Sequence, residues 1–82
     1  MHYHIAGFRN RGTEACPFGR LELSTSSKPD GEIAGDLGVS VTPDGILDIW
    51  ASNQTPANVS SLTIERARRY LFERFPALAR KA

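Results

Sequence analysis

The residues able to carry covalent or metal chemistry are few in this 82-residue chain, and they are scattered. His2 and His4 alternate, so an extended backbone puts both imidazoles on one side. Cys16 is the third group that could join them around a metal ion. Three ligands fall short of the four protein groups that a structural zinc site uses, and solvated surface histidines are the plainer reading. As a nucleophile, the Cys16 thiol needs a base to lower its pKa and a third group to hold that base. His2 or His4 supplies the base in principle, but no third group follows from the sequence. A lone cysteine is more often a small buried hydrophobe. Asp36 and Asp48 make a carboxylate dyad only if neighbouring strands turn them to one face, which alternation leaves open. The expectation is a non-enzymatic chain with no catalytic residue, no metal and no cofactor.

Arginine and aromatic side chains are the richer signal. The net charge of +1 conceals an asymmetry: residues 62–82 carry six bases and two acids, residues 1–61 four bases and seven acids. The two parts therefore stand at +4 and −3, an electrostatic footprint hidden by the total. Arg66 and Arg69, with Arg68 beside them, offer guanidinium forks to phosphates or to a partner's carboxylates. The plain alternative is a solvated outer helix face, with Glu65/Arg69 and Arg69/Glu73 as i,i+4 pairs. A second basic patch is the loop Arg9-Asn10-Arg11-Gly12, with Arg20 near it across the first hairpin. Its arginines and asparagine suit phosphate or base edges as donors. Trp50 and Phe72 become contact residues if they are exposed, since Trp, Tyr and Arg dominate interface hot spots.

These groups need elements to position them. Leu21 and Leu23 alternate with Arg20, Glu22 and Ser24. Over residues 33–41, Ile33, Gly35, Leu37, Val39 and Val41 share one face, with Ala34, Asp36, Gly38 and Ser40 on the other. Gly35 and Gly38 inside that strand mark a bulge or a close backbone approach. A first strand is expected over 3–8, with Tyr3, Ile5 and Gly7 alternating against His4, Ala6 and Phe8. A last strand covers 46–50, with either Leu47 and Ile49 or Ile46 and Trp50 turned inward. Two Pro-Asp-Gly turns, at 28–31 and 42–45, close the central hairpins. Residues 51–60 form a polar connection. Ile64, Ala67, Leu71, Phe75 and Leu78 then recur at helical spacing. Ser60 or Ser61 caps the helix, Glu65 favours its dipole, and Pro76 ends it. The expected fold is α+β: a four-stranded antiparallel meander covered on one face by a C-terminal helix (ββββα).

A chain of this length buries only about 60–65% of the surface its unfolded form exposes. That predicts a single compact domain over 1–82 with one modest core. With 40% apolar and 23% charged residues, disorder throughout is disfavoured. One cysteine forbids an internal disulfide, which points to a reducing compartment. The start of the chain has neither the basic stretch nor the apolar run of a signal peptide. No apolar run is long enough to span a membrane. A cytoplasmic location is expected, with no membrane partner.

By exclusion, the sequence reads as a small protein-interaction domain, an inhibitor or adaptor that occludes a partner surface. Size and charge alone fit a phage- or plasmid-borne inhibitor of a host defence complex. Such an inhibitor could act on a nucleic-acid-handling machine without binding nucleic acid itself, so contact with nucleic acid is direct or through the partner. The alternative is a DNA- or RNA-binding module that uses the arginine-rich helix face and the 9–12 loop. It requires those two patches to be continuous. An exposed edge strand also allows a homodimer.

Overall fold

The computed structural model describes residues 3–25 and 32–79. Four strands, β1 (His4–Asn10), β2 (Gly19–Ser24), β3 (Ile33–Val41) and β4 (Leu47–Ala51), precede α1 (Ser61–Arg74) and a short α2 (Pro76–Ala79). The strands pair antiparallel in the order β1-β2-β3-β4, and α1 packs on one face of the sheet. The fold is the expected ββββα meander.

The 42–45 turn behaves as its residues dictate. Gly45 takes a φ of 83°, the left-handed geometry that glycine adopts without penalty. Its amide donates to the Thr42 carbonyl at 2.8 Å, and the Ile46 amide donates to Thr42 Oγ1 at 3.1 Å. The second Pro-Asp-Gly motif, at 28–31, lies outside the described residues.

The core forms between the sheet and the helix. Leu21, Leu23, Leu37, Val39 and Leu47 from the strands meet Ala67, Leu71, Phe75 and Leu78, and all are buried. Ile49 packs against this cluster while Ile46 and Trp50 are exposed, which settles the inward face of β4. Ser60 caps α1, its hydroxyl accepting from the Thr63 amide at 3.2 Å. Thr63 is fully buried, a core position that its hydroxyl conceals in the sequence. Pro76 does end α1, with Phe75 as C-cap. Glu65 falls beyond the first turn, which holds no acid, so its expected dipole contribution is removed.

Two β-bulges correct the expected faces. The β1–β2 register shifts between Ile5 and Gly7, leaving Ala6 as the extra residue. An inserted residue reverses the alternation beyond it. Phe8 therefore joins Ile5 against the core instead of lying opposite it. Its ring meets Phe75 edge-on, with centroids 5.8 Å apart. The β2–β3 register likewise shifts between Leu23 and Ser24. This sends Ile33 out to 47% exposure, away from the Leu37 face where simple alternation put it.

Candidate interaction face

The face of the sheet turned away from α1 carries two cross-strand rows. In the first, Arg9 lies opposite Arg20, Arg20 opposite Gly38, and Gly38 opposite Trp50, so one row spans all four strands. In the second, Gly7, Glu22 and Asp36 are neighbours. Two carboxylates directly across a ladder repel each other, and each is answered by an arginine from the adjoining row. Arg9 Nε is 3.1 Å from Glu22 Oε1, and Arg20 Nη1 is 4.0 Å from Asp36 Oδ1.

Both glycines of β3 have steric roles. A Cβ at Gly38 would overlap the Trp50 indole, so the ring uses the bare backbone there as its seat. The Arg20 guanidinium carbon lies 5.1 Å from the Trp50 ring centroid, within cation–π range. The indole Nε1–H donates to Ser40 Oγ at 3.4 Å. Gly35 admits the turn after β4: a Cβ there would strike the Gln54 carbonyl oxygen and Pro56. That turn is tied to Asp36, whose carboxylate accepts from Ser52 Oγ at 2.5 Å. The Asp36 carbonyl accepts from Thr55 Oγ1 at 2.6 Å.

The loop over 11–18 completes one corner of this face. Asn10 organises it, its Oδ1 accepting from the Gly12 amide at 2.8 Å and the Phe18 amide at 3.2 Å. Its Nδ2 donates to the Thr13 carbonyl at 3.3 Å, so both ends of the Asn10 side chain work inside the loop, against its reading as a donor to base edges. Arg9 and Asn10 also belong to β1 and not to the loop, because pairing with Arg20 and Gly19 continues that far. The Arg11 amide donates to the Phe18 carbonyl at 2.6 Å. Phe18 is 53% exposed and Trp50 37%. Arg11, Phe18, Gly19, Arg20 and Trp50 line a pocket of about 220 Å³.

Of the six residues singled out in the sequence, Arg9, Arg11 and Trp50 come together here. Arg66, Arg69 and Phe72 do not. Ala67 and Leu71 turn towards the sheet, and Arg69 sits roughly 200° further round the helix than Ala67. It therefore points away from the layer that carries Arg9 and Arg11. Phe72 is half-buried and packs against the core. Together with Glu65, Arg68, Arg69 and Glu73 it lines a shallow depression. Among the described residues, the Glu65/Arg69 and Arg69/Glu73 pairs do not close to ion-pair distance; the two pairs that do are on the sheet.

Sequence reasoning missed Phe18 as an exposed aromatic of this face, although β2 carries the signal. Phe18 extends the Arg20, Glu22 alternation to the face opposite Leu21 and Leu23.

The other chemical constellations come apart. Asp48 pairs with Ser40, four residues along β3 from Asp36, so their backbone positions lie about 13 Å apart along the strands and the two acids form no dyad. His4 begins β1 while Cys16 sits in the loop beyond its far end, roughly 20 Å of strand away. His2 lies outside the described residues. Among the described residues no group of three or more His, Cys, Asp or Glu side chains is arranged to hold a metal ion. Nor is any helix among them long and apolar enough to cross a membrane. Compared with protein-family models, with curated proteins and with solved structures, the chain matches none of them.

Proposed function

We propose that the chain is a protein-interaction domain that docks through the open face of its sheet and occludes part of a partner, as an inhibitor or adaptor does. The observation that carries this reading is the Gly38–Trp50–Arg20 stack beside Arg11 and Phe18. Tryptophan and arginine are the side chains that dominate interface energetics. Here they are held in place before any partner arrives, which lowers the entropy lost on binding.

Direct nucleic-acid binding draws support from the exposed aromatic and arginine side chains on one sheet face, a stacking arrangement. Two features weigh against it. The loop and helix arginines lie on opposite sides of the molecule, so they offer no continuous track. On the sheet itself, Glu22, Asp36 and Asp48 balance Arg9, Arg11 and Arg20. Self-pairing through an edge is disfavoured by the bulge in β1 and the five-residue length of β4.

The test is capture of partners from lysate of the cells that make the chain, with and without nuclease, using wild type, Trp50→Ala, Arg20→Ala and Arg69→Glu. The expected result is a protein retained in both arms. Its capture falls about tenfold or more in the two sheet variants and changes little in Arg69→Glu. Loss of all partners with nuclease, or loss in Arg69→Glu alone, would sink the reading.

A further inference from the structure

We infer that the corner pocket of the sheet binds an acidic side chain of a protein partner, seated next to an apolar one. This rests on the sheet face being the interaction surface and adds the chemistry of what docks there. Three arginines serve that face, and two are already engaged: Arg9 by Glu22, and Arg20 by Asp36 and Trp50. Arg11 has no ion-pair partner among the described residues. Its backbone is nevertheless fixed, by the bond from its amide to Phe18 and by the Asn10 bonds on either side of it. The acid nearest to it in the loop, Glu14, lines a different depression with Phe75 and Pro76. No carboxylate lines the corner pocket.

The pocket therefore combines an unpaired cation, carried on a fixed backbone, with two exposed aromatic walls. A guanidinium fork matches a carboxylate with two parallel hydrogen bonds. The Phe18 and Trp50 rings exclude water from one side of that pair, which strengthens it. At about 220 Å³ the pocket is below the roughly 300 Å³ at which small-molecule sites begin. It holds a side chain, not a cofactor. Among the described residues, the arginine of this face without an acid partner lies at this corner, while Glu22, Asp36 and Asp48 are spread over the face. A single carboxylate is satisfied there; a run of phosphates is not.

The experiment is a selection from a random peptide library displayed on phage, run against the wild-type chain and against Arg11→Glu. Enriched peptides should share an Asp or Glu adjacent to an apolar or aromatic residue. One of them, synthesised and titrated by NMR, should shift the Trp50 indole and Gly19 amide signals. Arg11→Glu should weaken it about tenfold or more, as should Asp-to-Asn or Glu-to-Gln exchange in the peptide. Arg11→Gln, with an unchanged melting temperature, should reproduce the loss and so covers the case in which charge reversal disturbs the loop. No enrichment, enrichment without an acid, affinity indifferent to Arg11, or displacement of the peptide by oligothymidylate at physiological salt would each overturn the inference. If partner capture is lost in Trp50→Ala but kept in Arg11→Glu, the acidic anchor fails and the interaction face stands. Capture unchanged in both removes both.

Discussion

The outer face of α1 and the open face of the sheet are built from the same residue types, arginine and aromatic, yet they differ in how those side chains are held. On the helix, Arg66, Arg68 and Arg69 extend from one rigid cylinder without ion pairs among the described residues, and Phe72 is half-buried against the core. On the sheet, antiparallel pairing sets each side chain beside a partner from another strand. Arg20 reaches both Asp36 and Trp50, and Trp50 lies on Gly38. The helix face is charged because solvent lies on that side. The sheet face is charged and also organised. What distinguishes the two faces is restraint, not composition.

That contrast can be broken in order of decreasing effect. Leu71→Ala removes a fully buried side chain on the hidden side of α1. It should lower stability by about 3 kcal/mol in chemical denaturation, far more than any change on either outer face. Gly38→Val takes away the seat of Trp50. We expect a loss of about 1–3 kcal/mol, a red-shifted Trp50 emission as the ring moves into water, and capture as poor as in Trp50→Ala. Capture unchanged in Gly38→Val would mean that the stack does not matter to binding. A double-mutant cycle on Arg20→Ala and Trp50→Ala should give a coupling of about 0.5–1 kcal/mol, the range for an exposed cation–π pair; a coupling near zero would remove the claim of preorganisation. Arg69→Ala is the counterpart on the helix and should stay within about 0.5 kcal/mol of wild type. A larger change would show that the helix face is as structured as the sheet.

Much of the framework was legible from local pattern. Leu21 and Leu23 against Arg20 and Glu22, the helical recurrence of Ala67, Leu71 and Phe75, the Ser60 cap and the glycine of the 42–45 turn each follow from contacts within a few residues. The faces of Phe8 and Ile33 were misread because a bulge depends on how two strands settle together. A single chain segment shows the alternation but not the inserted residue. Asn10 was misread for a related reason: its polarity advertises a donor, while the loop it folds absorbs its bonds.

The site divides along the same line. Arginine at 9, 11 and 20 and tryptophan at 50 are plain in the sequence, as is the need for some element to bury Leu21, Leu37 and Leu71. Period-two and helical spacing are enforced by backbone geometry, so they are written into neighbouring residues. That Arg11, Phe18, Arg20 and Trp50 meet at one corner, while Arg69 faces the other way, was decided by the register of three strand pairs and by which face α1 covers. Those are long-range choices, made by packing energies between segments distant in the chain, and local spacing does not encode them.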